Sequence, residues 1–123
     1  MSQNKRILIV DDDPEIRSIL RLYLAKKYDV LEAASGFEAF SYIDETPPDL
    51  FIVDALMPRF NGFLFIEILR AMKRFRETPV IMLTAMDEEG DINEGLRKGA
   101  TVYLVKPVDR EKLLEAIEGQ LRN

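Results

Sequence analysis

Five short apolar runs, each followed by an amphipathic segment, constrain this chain more than any other feature of its sequence. The runs are RILIV (6–10), DVLEAA (29–34), LFIVD (50–54), PVIMLT (79–84) and VYLV (102–105). They are rich in β-branched or aromatic residues and bounded by Pro, Gly or Asp, so they read as strands. Three of them are nearly continuous in apolar character, as parallel strands covered on both faces require. Helices must supply the covers. Ile16, Ile19, Leu20 and Tyr23 fall at i, i+3, i+4 and i+7, and Leu113, Leu114, Ile117 and Leu121 form a similar stripe. Phe37, Phe40 and Ile43 mark another helix, and GFLFIEILRAM (62–72) a deeply packed fourth. The fifth, within DEEGDINEGLRKG (87–99), has Ile92 and Leu96 on one face. Gly90 and Gly95 weaken it by about 1 kcal/mol each relative to alanine, and Gly99 suits a C-terminal cap.

Five such units in 123 residues predict one α/β domain, a doubly wound parallel sheet of five strands, (βα)5, with right-handed crossovers. In these sheets the site lies beyond the carboxyl ends of the strands. Asp11, Asp12 and Asp13 follow the first strand, Asp54 ends the third, Thr84 ends the fourth and Lys106 follows the fifth. Asp13, directly before Pro14, is best explained as a helix N-cap. Each of the others alone has an ordinary explanation as a turn, cap or solvated loop residue. As a cluster they do not, because carboxylates crowded at a partly buried site repel unless a cation compensates them.

Composition narrows the chemistry. The chain has no cysteine and no histidine, which excludes disulfides, thiolate nucleophiles, imidazole bases and the usual zinc ligands. A hard divalent ion such as Mg²⁺ is the economical partner for carboxylates, and a neighbouring lysine and threonine suit a phosphoryl group. Seventeen Lys and Arg against 22 Asp and Glu leave a net charge of −5, so no nucleic-acid surface is indicated. No apolar run approaches the roughly 20 residues that span a bilayer, and the expected location is cytoplasmic.

Asp11–Asp12, VDALMPRFNG around Asp54, LTA with Thr84, and YLVKP with Lys106 together resemble the response-regulator receiver domain over essentially the whole chain. Thr84 lies 30 residues beyond Asp54 and Lys106 lies 52 beyond it, spacings similar to those of the family. The resemblance implies a flavodoxin-like sheet of order 2-1-3-4-5. It implies a phosphorylation-activated switch of a two-component system and not an enzyme with a separate substrate. Asp54 would accept a phosphoryl group from a phosphohistidine on a histidine kinase or phosphotransfer protein. Asp12, Asp54 and the main-chain carbonyl of Leu56 would hold Mg²⁺ directly, and Asp11 would hold it mainly through water. Lys106 would pair with the acyl-phosphate oxygens, Thr84 would turn toward them, and Tyr103 would follow from an exposed to a buried position. A cis peptide is expected between Lys106 and Pro107. A downstream effector, an attached output domain and a phosphorylation-dependent dimer are the partners implied. The last helix ends at LRN with no linker, so a stand-alone and an excised receiver both stay open.

Three further expectations concern surfaces and lifetime. Residues 87–98, 102–105 and 109–122 should form the signalling face. The resemblance implies that the helix from Pro14 docks the phosphohistidine partner, and Arg17 and Arg21 are expected to be exposed on it. Leu56 and Met86, two residues beyond the acceptor and beyond the switch threonine, should flank the path of a hydrolytic water. Other readings compete. In a haloacid-dehalogenase-type phosphatase Asp11-x-Asp13 would be the catalytic pair, but Glu15 stands where Thr or Val is usual. A flavodoxin-like electron carrier would need a Gly- or Ser/Thr-rich loop where this chain is acidic. A receiver that signals without phosphorylation would not need the intact acidic pair, acceptor, threonine and lysine.

Overall fold

Apolar continuity in the sequence becomes complete burial in the sheet. In the computed structural model, which describes residues 4–122, the strands are β1 (Arg6–Val10), β2 (Asp29–Ala33), β3 (Leu50–Val53), β4 (Val80–Thr84) and β5 (Val102–Val105). They pair in parallel in the order β2-β1-β3-β4-β5. β3 and β4 are buried throughout, as is β1 from Ile7, whereas the edge strands β2 and β5 are partly exposed. The helices are α1 (Pro14–Leu24), α2 (Gly36–Tyr42), α3 (Gly62–Ala71), α4 (Glu89–Lys98) and α5 (Arg110–Leu121).

Alternate strand residues feed two cores, as the period of a strand demands. Ile7, Ile9, Leu50, Ile52, Ile81 and Leu83 pack with Leu20 and Leu24 of α1 and Leu113 and Ile117 of α5. On the opposite face, Leu8, Val10, Phe51, Val53 and Met82 pack with Ala39 of α2 and with Phe65, Ile66 and Leu69 of α3. The chain leaves β1 toward one edge of the sheet and later re-enters beside it as β3. The switch of strand order therefore falls between β1 and β3, where a crevice opens at their carboxyl ends.

Side chains fix where the helices begin. Asp13, Ser35, Asn61 and Asp109 each accept a backbone N–H in the first turn, of Glu15, Glu38, Leu64 and Lys112 respectively. α4 differs: Glu88 makes no such bond, and the helix starts at Glu89 and not at 87. Its other end is firm. Gly99 closes it at φ 124°, a left-handed conformation that favours glycine. Arg70 of α3 donates to the Gly99 carbonyl from Nε (3.0 Å) and Nη2 (2.8 Å). Its Nη1 donates to the carbonyls of Phe75 (2.8 Å) and Thr78 (2.6 Å), gathering in a 3-10 turn at Lys73–Phe75.

One expectation needs amendment. Phe40 packs inward from α2, but Phe37 is 63% exposed. Its ring lies edge-on against Phe60, with centroids 4.8 Å apart, so it covers the loop after β3 and not the sheet. The short turn at residues 73–75 had no signal in the apolar pattern. The Lys106–Pro107 peptide is cis, as expected.

Candidate functional site

Register alone brings the first two carboxylates together. Val10 and Val53 are partners across β1 and β3, so Asp11 and Asp54 leave the sheet side by side. Asp54 N donates to Val10 O (3.0 Å), and Asp11 N donates to Ala33 O (3.1 Å), extending the ladder by one residue on each side. Both aspartates are buried, with relative exposures of 3% and 6%. Asp12 is exposed at the mouth of the crevice, and one carboxylate oxygen from each of the three lies within 4.8 Å of the others.

Lys106 enters from β5. Thr84 and Val105 are partners, and Lys106 N donates to Thr84 O (2.8 Å), which places the lysine one step beyond the threonine. Its Nζ bridges Asp11 Oδ2 (3.0 Å) and Asp54 Oδ2 (3.1 Å). The second oxygens are held by the backbone: Asp13 N donates to Asp11 Oδ1 (2.9 Å) and Leu56 N to Asp54 Oδ1 (3.0 Å). Burial raises the Asp11 carboxyl above the ordinary aspartate value, although the Asp13 N–H and Lys106 oppose the rise; the Asp54 charge adds to it. Burial would lower Lys106, but its hydrogen bond and charge contact with Asp11, and the Asp54 charge, outweigh burial and move it up.

One ammonium thus faces three carboxylates. The donor set is all oxygen, hard and clustered, which suits Mg²⁺ and not a soft metal. Gly62 keeps the crevice in shape from below. A Cβ there would lie 2.2 Å from the Asp54 carbonyl oxygen, so only glycine lets α3 start against the loop after β3.

Thr84 and Tyr103 stand one step behind the carboxylates. The Thr84 hydroxyl is fully buried, and Met86 N lies 3.5 Å from it. Tyr103 is half-buried already, and its hydroxyl donates to Met86 O (2.8 Å), so the expected exposed starting position is not the one the structure holds. Leu56 is 54% exposed beside Asp54.

A second network escaped the sequence reading. Arg17 was expected on the surface, yet its side chain is only 16% exposed. Its Nη1 donates to the Asp11 carbonyl (2.6 Å) and its Nε to Glu32 Oε1 (3.0 Å). Arg21 is exposed as expected, and its Nε donates to Glu32 Oε2 (2.6 Å). Glu32 of β2 accepts from both arginines, and the acidic turn is thereby tied to both α1 and β2. An arginine one turn into the helix that follows the acidic run was the available signal.

Comparison with known proteins places the chain. The transcriptional regulator RpaA of Synechocystis sp. is 37% identical over 118 residues, which are 95% of this chain and 49% of that protein. Protein PilG of Pseudomonas aeruginosa is 35% identical over 121 residues, covering 98% of this chain and 90% of its own. The chain spans about half the length of several curated relatives it matches. The structure of chemotaxis protein CheY4 of Vibrio cholerae superposes with a TM-score of 0.91 at 34% identity, over 96% of this chain and 99% of the other. Residues 7–118 match the response regulator receiver domain. That match runs from the first buried residue of β1 well into α5, and the chain belongs to the response regulator receiver domain family.

Proposed function

We propose that the chain acts as one receiver unit in which Asp54 is the phosphoacceptor, and that phosphorylation repacks the face formed by α4, β5 and α5. The observation that carries this is the Lys106 ammonium bridging Asp11 and Asp54 inside a cluster of three carboxylates. A carboxylate oxygen of Asp54 attacks the phosphorus of a partner's phosphohistidine. The P–N bond breaks, its electron pair leaves with the imidazole nitrogen, which takes up a proton, and Asp54 carries an acyl phosphate. The N–H of Leu56 and the ammonium of Lys106 orient the acceptor before transfer. Lys106 then passes from the Asp54 carboxylate to the phosphoryl oxygens without leaving the site. Asp11, Asp12, Asp54 and the Leu56 carbonyl would hold Mg²⁺, which supplies positive charge against the transferring group. Thr84 is loosely held and would donate its hydroxyl to a phosphoryl oxygen.

The phosphohistidine partner would approach along α1. Ile16, Ile19, Tyr23, Pro107 and Val108 line a shallow apolar groove of about 190 Å³ that ends at Lys106. Leu56 and Met86 are apolar and cannot orient a hydrolytic water, so the acyl phosphate should be long-lived; Leu56→Asn with Met86→Glu should shorten its lifetime. The chain would catalyse only its own phosphorylation and dephosphorylation, and pass its state to an effector, an output domain or a second copy. No helix among the described residues is long and apolar enough to cross a membrane.

Intact mass after incubation with acetyl phosphate and Mg²⁺ tests the proposal. The expected result is a gain of one phosphoryl group that Asp54→Asn abolishes. No gain at any Mg²⁺ concentration, or an undiminished gain in Asp54→Asn, would overturn it.

A further inference from the structure

α4 contains two internal glycines, and the structure separates their roles. A Cβ on Gly90 would meet nothing within 4 Å. On Gly95 it would lie 2.8 and 2.9 Å from Cδ2 and Cε2 of Tyr103 and 3.2 Å from Met82 Sδ. Side-chain carbons do not tolerate such approaches, so the Tyr103 ring rests on bare helix backbone at Gly95. That placement lets its hydroxyl reach Met86 O (2.8 Å), while Met86 N faces the Thr84 hydroxyl at 3.5 Å. One residue of the β4–α4 loop, Met86, is therefore touched by the threonine at its N–H and by the tyrosine at its carbonyl.

We infer that Gly95 is a positioning residue for Tyr103: the missing side chain creates the seat that selects the inward ring with its hydroxyl on Met86. Met82 of β4 backs the same spot. A larger residue at 95 would push the ring off this seat. The identity of this position thereby sets how readily the α4–β5–α5 face takes its inward form. The packing half of the inference stands on the contacts alone; the signalling half rests on the switch reading above.

A thermal cycle on the full chain tests it, using Gly90→Ala, Gly95→Ala, Tyr103→Ala and the Gly95→Ala/Tyr103→Ala double variant. Gly90→Ala should raise Tm by about 3–5 °C, as relief of an open helical glycine predicts. Gly95→Ala should lower Tm in the parent and raise it in the Tyr103→Ala background. That reversal of sign is the signature of the seat, and the Tyr103→Ala background keeps it readable even where Gly95→Ala alone fails to fold. A rise in both backgrounds overturns the inference, and so does an equal fall in both, which would make Met82 the obstacle. In parallel, beryllofluoride with Mg²⁺ should bind Gly95→Ala several-fold more weakly than the parent, and the double variant no more weakly than Tyr103→Ala. Equal affinity of Gly95→Ala and parent overturns the signalling half. Absence of beryllofluoride binding in the parent itself overturns the switch reading, while the Tm reversal still decides the seat.

Discussion

α1 and α4 differ by one residue in length, 11 against 10, and each follows a strand that ends at the acidic crevice. They are held in different ways. α1 starts on the Asp13 cap and Pro14, buries Leu20 and Leu24, and is tied to β2 and to the Asp11 turn through Arg17, Arg21 and Glu32. α4 has no side-chain cap at its start, carries two glycines, and buries only one residue, Gly95. The contrast matches the two demands that the proposed switch makes. Carboxylates that share a cation must be placed to within a few tenths of an ångström, whereas a face that reports must change at low cost.

The largest expected separation between the two sides comes from glycine. Gly62→Ala, which drives a methyl into the Asp54 carbonyl, should cost about 3 kcal/mol and lower Tm by roughly 10 °C. Gly90→Ala on α4 should do the opposite. A stable Gly62→Ala protein with unchanged acyl-phosphate formation would break the contrast.

Next in size is the arginine lattice. Arg17→Ala should cost about 2 kcal/mol in denaturant unfolding, because it strips a charge-assisted bond from the Asp11 carbonyl and another from Glu32. Arg97→Ala, at an exposed position of α4, should change stability by under about 0.5 kcal/mol. The lattice also has a pH signature. Burial alone would raise the Glu32 carboxyl, but hydrogen bonds from Arg21 and Arg17 outweigh it and hold the group below its ordinary value of 4.5. A depressed folded value means stability that is present above 4.5 and lost as pH falls through the folded value. Glu32→Gln should therefore flatten the acid limb of the unfolding profile, and an unchanged limb would show that the lattice contributes nothing.

Smaller again is the effect of supplying the cap that α4 lacks. Glu88→Ser should add about 0.5–1 kcal/mol and slow amide exchange in the first turn of α4. If exchange there does not slow, the looseness of α4 lies in its glycines and not in its start. The smallest effect is expected of the Lys98–Glu67 pair, 3.3 Å apart with side chains 32% and 54% exposed. Lys98→Ala should move stability by less than about 0.5 kcal/mol.

What could be read in the sequence was what local chemistry controls. Apolar runs announced the three buried strands, Asp13–Pro14 announced the start of α1, and polar residues at four strand ends placed Asp11, Asp54, Thr84 and Lys106 around one crevice. Contacts between residues distant in the chain left no such mark. Nothing periodic links Arg17 to Glu32, 15 residues apart, or Arg70 to Gly99, 29 apart. Phe37 fitted the stripe of α2 but lies over Phe60, because a helical pattern does not say which neighbour a residue at the end of the stripe will meet. Gly95 was visible only as a helix weakener, since a seat is defined by what lies across from it.

The Arg70 clamp has a mechanical corollary. By binding the carbonyls of Gly99, Phe75 and Thr78 at once, it makes the end of α3, the 3-10 turn and the C-terminus of α4 a single anchored body. Ten residues at about 1.5 Å each make α4 a lever roughly 15 Å long, anchored at Gly99 and without a side-chain cap at its Glu89 end. Swinging such a lever through about 10° moves nothing at the pivot and about 2.5 Å at the tip. Any repacking of this face that pivots on the clamp would therefore be graded along the helix, smallest beside Arg70 and largest where the β4–α4 loop meets Thr84 and Tyr103.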